Sequence, residues 1–366
     1  MKFKINREVF LLPLQQIVNV IEKRQTMPIL SNILLKMNAG ILTLTGSDLE
    51  IQLIVELSID NSEASEITVP ARKILDIIRL LPAESQIDIQ LDNEKLKIVS
   101  GRSRFSLTTL EAVNYPEFDE KSPHTTMLLP ISQLNKALNK TLFCMANQDV
   151  RYYLNGILVT VTNQQLKLVA SDGHRLALFN ESLTEAKDIE TSFIIPRKGV
   201  IELSRLLSES DQLLSLQLAT SNVRLDFERL SFSVKLIDAK YPDFSKVFQQ
   251  DFKSVIAVNR KDFKDALTRV SILSNEKFKG VSLNFSDSNL KVAAYNPDHE
   301  EAEENVTIDY SGEAFVIAFN AQYLLDAVSN LESDVIHVSL SSNMSACVIE
   351  DPIDASYQYI VMPMRL

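Results

Sequence analysis

One run in this chain sets an acid, an imidazole and a guanidinium within four consecutive positions: Asp172-Gly173-His174-Arg175, preceded by Ser171. An Asp beside a His is raw material for a hydrolytic triad with some serine as nucleophile. Sequence neighbours do not make a triad, however, and no GxSxG elbow presents a serine. Asp-Gly is also a strong hairpin-turn signal, which accounts for Asp172 and Gly173 without chemistry. His174 and Arg175 are left over by that reading.

Other chemistries lose support in the same way. The chain has neither GxxxxGK[ST] nor GxGxxG, and eight glycines in 366 residues leave little room for phosphate cradles. Its two cysteines, Cys144 and Cys347, are far apart with no CxxC spacing. That fits a reducing cytoplasm and excludes a cysteine-rich zinc module. No cofactor and no metal requirement is visible. No apolar run approaches the roughly 18 residues that span a bilayer. The start, MKFKINREVF, lacks a signal-peptide core, so the protein is expected to stay in the cytoplasm.

The elements that position these residues come in repeats. ITVPARKILDIIRLLPAESQ begins a segment ending at Pro116, and FIIPRKGVIELSRLLSESDQ begins one ending at Pro242. Pro70 matches Pro196, and Tyr115-Pro116 matches Tyr241-Pro242, at one constant offset. A third, diverged copy starts FVIAFNAQYLLDAVSNL and runs to the last residue. LTLTGSDLE, LKLVASDGHR and LKVAAYNPDH repeat in step with these. The chain therefore reads as three copies of a unit about 120 residues long.

Within each copy, strand and helix signals alternate. Phe10, Leu14, Ile17, Val18 and Ile21 make a helical stripe, and Ile74, Ile77, Ile78 and Leu81 make another. Alternating segments such as NILLKM, ILTLTGS and IQLIVELSI read as strands. Each copy is βαβββ twice over, an α+β layer architecture. The spacing predicts helices over 7–24, 70–81, 131–146, 196–207, 260–274 and 319–331, with Pro70 in a first helical turn.

The net charge of −11 argues superficially against nucleic acid, but it is unevenly spread. The six predicted helices hold fifteen Lys and Arg against seven Asp and Glu, a surplus of eight on an otherwise acidic body. Arg72 and Arg79 lie opposite an apolar stripe, Lys198 and Arg205 recur at the same positions one copy later, and Lys136 and Lys140 are i,i+4 neighbours. An ordinary solvated helix face explains any one of them. A basic helical layer attracts a polyanion to one surface, through phosphates and without base reading.

Taken with the strings VPARK, SGRSRFSL, NQDVRYYLNG, IPRKGVIEL, ILSNEKFKGV and VMPMRL, this pattern resembles the bacterial DNA polymerase III beta subunit family, the sliding clamps, over the whole chain. The resemblance implies a DNA clamp fold of three similar domains, 1–120, 126–245 and 252–366. Two subunits would join head to tail as a ring, helices lining the hole and sheets outside, around duplex DNA. It implies no catalysis. It points to Arg24, Arg72, Gln148, Arg197, Lys198 and Arg205 for DNA, with Arg151, Tyr152 and Tyr153 reaching a template strand. For the homodimer boundary it implies Arg102 and Arg104 on a strand facing the acidic run DHEEAEENV, with Glu300, Glu301 and Glu304. Phe105, Ile272 and Leu273 form the apolar centre.

The family also implies a hydrophobic pocket bordered by SDGHRLA, where short linear peptides dock. These come from the replicative polymerase alpha subunit, clamp-loader subunits, translesion polymerases, mismatch-repair proteins and ligase. By position the pocket takes Leu154, Ser171, Gly173, His174, Arg175, Leu176, Pro242, Val247, Asn320, Tyr323, Met344, Met362, Pro363, Met364 and Arg365. Ser171 and Met344 depart from the threonine and smaller aliphatics common in relatives. Without the resemblance, a passive three-copy scaffold is the competing reading, and the acidic run is a solvated turn. The apolar ending, Met362-Pro363-Met364-Arg365-Leu366, stands where the earlier copies cross into a next domain. Having none, it is expected to wall the pocket.

Overall fold

The computed structural model describes residues 1–22, 27–61, 63–183, 189–248, 252–341 and 346–365. The first unit runs β1 (Lys2–Asn6), α1 (Arg7–Val20), β2 (Asn32–Asn38), β3 (Ile41–Ser47) and β4 (Ile51–Ser58). The second is β5 (Ser65–Pro70), α2 (Ala71–Leu80), β6 (Gln86–Asp92), β7 (Lys95–Ser100) and β8 (Ser103–Thr108). The middle copy opens with β9 (Thr125–Pro130), α3 (Ile131–Thr141), β10 (Gly156–Thr162), β11 (Gln165–Ser171) and β12 (Arg175–Ser182). It continues with β13 (Thr191–Pro196), α4 (Arg197–Leu206), β14 (Leu213–Leu218), β15 (Asn222–Phe227) and β16 (Leu230–Lys235). A short helix α5 (Ser245–Phe248), which the repeat pattern does not anticipate, precedes the third copy. That copy comprises β17 (Phe252–Asn259), α6 (Arg260–Val270), β18 (Gly280–Ser286), β19 (Asn289–Tyr295) and β20 (Glu301–Asp309), then β21 (Phe315–Asn320), α7 (Ala321–Ser329), β22 (Val335–Ser341), β23 (Cys347–Glu350) and β24 (Tyr357–Val361).

Each of the six long helices follows directly on an Asn or a Pro: Asn6, Pro70, Pro130, Pro196, Asn259 and Asn320. The asparagines cap by side chain, as Asn6 accepts from Glu8 N at 2.9 Å and Asn259 from Asp262 N at 3.0 Å. The prolines end a strand and launch a helix at a fixed φ, so Pro70 sits one residue before the first turn rather than in it. α3 and α6 are shorter than expected because their last turns tighten into 3-10 turns at Leu142–Cys144 and Ser271–Leu273.

Two compact bodies emerge, residues 1–135 with 198–236, and residues 136–197 with 237–366. The first holds a four-stranded sheet, β1-β6-β7-β8, and an eight-stranded sheet, β5-β2-β3-β4-β16-β15-β14-β9. α1 packs on α2 and on β3 and β4, burying Phe10, Leu14 and Ile17. The contact is close because β3 carries Gly46, where a Cβ would come within 2.7 Å of the Ile17 side chain. The second body is built on one twelve-stranded sheet, β13-β10-β11-β12-β24-β23-β22-β17-β20-β19-β18-β21.

Both long sheets contain the same antiparallel junction. In the first body the last strand of the middle copy, β16, pairs with β4 of the first copy, Phe232 opposite Leu53. In the second body the last strand of the third copy, β24, pairs with β12 of the middle copy, Ile360 opposite Leu176. The remaining members of this series are β8 and β20. β8 is the edge of its sheet. Along Glu301–Thr307, β20 is paired on its β19 side only, since β17 meets it just at Ile308 and Asp309.

Candidate functional site

The turn between β11 and β12 is built from Ser171 and Asp172. Ser171 Oγ donates to Arg175 O (2.7 Å) and accepts from Gly173 N (3.0 Å). Asp172 accepts from His174 N (2.9 Å) and Arg175 N (3.0 Å). Ser47 and Asp48 make the same bonds in the first copy, Ser47 to Ile51 O and Leu49 N, and Asp48 to Glu50 N and Ile51 N. The Ser-Asp pair is thus a repeated turn device. The Asp172 carboxylate is spent on backbone amides and on Arg175, not on the His174 ring, which removes the triad reading. What differs between the copies is the cargo of the turn: Leu49, Glu50 and Ile51 in one, Gly173, His174 and Arg175 in the other.

Arg175 is held by three hydrogen-bond partners. Its Nε donates to Asp172 (3.0 Å), Nη1 to Asp326 on α7 (2.5 Å) and Nη2 to Phe143 O (2.7 Å). The guanidinium also lies 4.4 Å from the Tyr323 ring centroid. Only 12% of its side chain is exposed. Arg151 folds back over the same turn, donating to Asp149 (2.9 Å) and to Asp172 O (3.1 Å). That hydrogen-bonded pair holds the Asp149 carboxyl down at about 2. Gly173 is required beneath it: φ is +87°, and a Cβ would stand 2.6 Å from Arg151 Nη1.

These residues open onto a cavity of about 260 Å³. One wall is Ser171, Gly173, Arg175 and Leu176, and a second is Arg151, Tyr153 and Leu154. Tyr241, Pro242, Phe244 and Val247 form a third, and Ile360 and Met362 the fourth. Tyr153 and Tyr241 meet edge to face at 6.3 Å, and burial pushes the Tyr241 hydroxyl well above its ordinary pKa. The register of β12 on β24 brings the chain's end here, with Arg175 opposite Val361 and Met362 N donating to His174 O (2.8 Å).

Of the residues assigned to the pocket from the sequence, Leu154, Ser171, Gly173, Arg175, Leu176, Pro242, Val247 and Met362 line this cavity. His174 is at its exposed rim, Tyr323 lies against Arg175, and Asn320 caps α7 through Gln322 N (2.9 Å). Pro363 is outside the lining, and Met364 and Arg365 line a different cavity. Met344 lies outside the described residues. Arg151 and Tyr153, assigned to a DNA strand, also line the cavity, while Tyr152 beside them is exposed. Tyr241, Phe244 and Ile360 are lining residues that the sequence reading left out. The Tyr241-Pro242 repeat match was the signal for the first.

The basic helix faces are more neutralised than their sequence suggests. Lys198 is bonded to both Glu22 and Asp48, and Arg205 to Glu202. Lys136 pairs with Asp354 (3.1 Å), and Lys140, buried, with Glu332 (2.7 Å) over the Tyr357 ring. Arg197 donates to Met145 O (3.1 Å). Arg72 and Lys73 on α2 are exposed, with no carboxylate partner among the described residues. Gln148 stands in a loop at φ +58°, and Arg24 lies outside the described residues.

The proposed boundary residues lie on or beside the two unused strand edges and just beyond α6. Arg104 and Phe105 are exposed on β8, and Arg102 belongs to the turn before it, not to the strand. The acidic run is a turn only as far as Glu300; Glu301 to Glu304 lie on β20, Glu304 bonded to Arg269 (2.7 Å). Ile272 is 76% exposed and Leu273 half-buried just beyond α6.

Repeated α+β units, open strand edges at β8 and along β20, and an apolar cavity walled by a pinned turn define a clamp-type repeat protein. Residues 1–119, 128–243 and 245–365 match, in that order, the N-terminal, central and C-terminal domains of the DNA polymerase III beta subunit. The chain is 43% identical to the beta sliding clamp of Proteus mirabilis and 41% identical to that of Pseudomonas putida, over the full length of each. The sliding clamp of Pseudomonas aeruginosa bound to griselimycin matches with a TM-score of 0.96 at 40% identity, covering 100% of both chains. That of Bartonella birtlesii, also bound to griselimycin, gives 0.95 at 34%, again covering 100% of both. The chain belongs to the DNA polymerase III beta subunit family, the sliding clamps, which are non-catalytic processivity factors.

Proposed function

We propose that two copies of this chain close head to tail into a ring around duplex DNA and tether the replicative polymerase and other DNA-processing proteins through short peptides. The observation that carries the ring is the interrupted junction series. β16 joins β4 and β24 joins β12, so β8 of one copy joins β20 of another. Carrying the two existing registers over by the repeat offsets sets Ser103–Ser106 against Glu301–Glu304. Basic Arg102 and Arg104 then meet acidic Glu300, Glu301 and Glu304, with Phe105, Ile272 and Leu273 as the apolar centre. Opposite charges at the two edges favour head-to-tail joining over head-to-head.

The domains of this reading are 1–120, 126–245 and 252–366. Arg72 is the foremost DNA contact, with Arg24, Gln148, Arg197, Lys198 and Arg205 in support, touching phosphates weakly and without sequence preference, while Arg151, Tyr152 and Tyr153 reach a template strand. Peptides dock in the cavity at Arg175 and Met362. Two relatives bound to griselimycin support a ligand-binding surface in this family. The protein works in the bacterial cytoplasm at replication forks; no helix among the described residues is long and apolar enough to cross a membrane. Retention on closed circular against linear DNA tests the ring. Deleting Met362 to Leu366 tests the pocket: binding of a polymerase-tail peptide should be lost while the dimer persists, and unchanged affinity would refute the assignment.

A further inference from the structure

The first copy carries a cavity that neither the ring nor the peptide pocket uses. It measures about 850 Å³ and lies just beyond β8, where residues 109–111 pass the turn between β6 and β7. Met27, Ile29, Ile67 and Leu110 wall it, together with the exposed Glu94 and Glu111. Met27 and Ile29 stand at the positions that Arg151 and Tyr153 hold in the middle copy. The repeat therefore opens a hollow at related places in both copies.

The walls are fixed from behind. Thr68 N donates to Leu110 O (3.0 Å) and Leu110 N to Thr68 O (3.2 Å). Thr68 Oγ1 also donates to Leu110 O (3.0 Å), and the buried Asn32 donates through Nδ2 to Thr68 Oγ1 (2.9 Å). Thr109 N and Oγ1 donate to Glu94 O at 3.0 and 2.8 Å, tying the turn to the end of β8. On this backbone Met27 and Leu110 keep 41% and 44% exposure. An apolar wall that is already ordered loses little entropy when a ligand covers it.

Strand and charge together say what covers it. β5 is the outer strand of its eight-stranded sheet. Both backbone groups of Thr68 point outward to Leu110, so those of Glu66 point outward too, by the alternation of an antiparallel ladder. The segment that meets Thr68 turns away through Ala112–Asn114. An extended chain can continue the edge at Glu66 while placing a side chain in the cavity. Glu94 and Glu111 line the cavity, with no Lys or Arg among its described lining residues. The pocket of the middle copy is the reverse, with Arg151 and Arg175 against Asp243. Carboxylates bordering an apolar hollow favour cationic flanks on the ligand and repel nucleic acid.

We propose that this cavity docks a short extended segment of a partner protein, one large apolar side chain flanked by Lys or Arg. The site is opposite in charge preference to the first pocket and rests on neither that pocket nor the ring. The chain contains no Trp, so the emission of a Trp-bearing peptide reports its own burial. Two synthetic peptides, Lys-Lys-Thr-Trp-Thr-Lys-Lys and Glu-Glu-Thr-Trp-Thr-Glu-Glu, are titrated with the full-length chain at low salt. The Lys-flanked peptide is expected to bind about tenfold more tightly, with a saturable blue shift. Glu94→Lys with Glu111→Lys should reverse that preference at an unchanged melting temperature, and Leu110→Ser should weaken both peptides. Equal binding of the two peptides, or a Lys preference that survives the double reversal, overturns the site. Loss of the parent chain's self-association in Leu110→Ser, read by sedimentation, would assign the face to a second copy and overturn it as well.

Discussion

Arg175 and Asp326 meet at 2.5 Å, tying the turn between β11 and β12 to helix α7. With Asp172 and Phe143 O as further partners, the guanidinium holds one wall of the pocket against the rest of the body. Removing one member of a nearly buried pair leaves the other's charge uncompensated, at a cost of about 3 kcal/mol. Arg175→Ala is expected to lower the melting temperature and weaken peptide binding at least tenfold, and Asp326→Asn to do both less severely. Calorimetry and peptide titration check this; a variant with unchanged melting and affinity contradicts it.

Gly173 makes a second, narrower case. Its φ of +87° and the 2.6 Å approach of Arg151 leave no room for a methyl group. Gly173→Ala should cost about 1 kcal/mol from the backbone alone. It should also push Arg151 off the cavity wall, so peptide affinity falls by more than stability does. Comparable affinity in the variant would mean that Arg151 does not shape the pocket.

How much of this was legible in the sequence varies with the range of the interaction. Among the described residues, the twenty-four strands and six long helices follow from short-range patterns and from the three-copy repeat, and they stand nearly where those patterns put them. The repeat even marks the unfinished junction at β8 and β20, once the two finished ones are seen. The charge surplus misleads because it is blind to partners: Glu22 and Asp48, which neutralise Lys198, lie 176 and 150 positions away. Lys136 and Lys140 likewise meet Asp354 and Glu332 from the far end of the chain. In the pocket, the turn was legible from Ser-Asp-Gly. The inward fold of Arg151, set by Asp149 and Asp172 O, and the placing of Met362 at the pocket by the register of β24 were not.

The open edges carry a prediction of their own. Arg102→Glu with Arg104→Glu sets like charges against Glu300, Glu301 and Glu304 across the proposed boundary. Sedimentation at micromolar concentration should show monomers, and the parent chain dimers. A doubly reversed variant that still sediments as a dimer would remove these residues from the interface.

Asp351 gives the stability a pH dependence. Burial alone would raise its carboxyl, but the Ser333 hydroxyl and the amides of Ile353, Ser333 and Asp354 outweigh it and hold it well below the ordinary carboxylate range. A pKa lowered on folding contributes stability that is full above the unfolded value, about 3.9, and is lost as pH falls through the folded value. Asp351→Asn should therefore melt below the parent at neutral pH, with the gap closing as the solution is acidified below about pH 4. A gap that stays constant across that range would show that the carboxylate's charge is not what holds the turn.

The ring itself is tested most directly by DNA topology. The chain, loaded by its clamp loader onto nicked circular duplex, is washed at rising salt and followed by gel filtration before and after the circle is cut once. Phosphate contacts weaken steeply with salt, but encirclement does not. The expected result is retention on the circle at salt that strips linear DNA bare, followed by release on cutting. Equal, salt-driven loss from both forms would contradict a closed clamp.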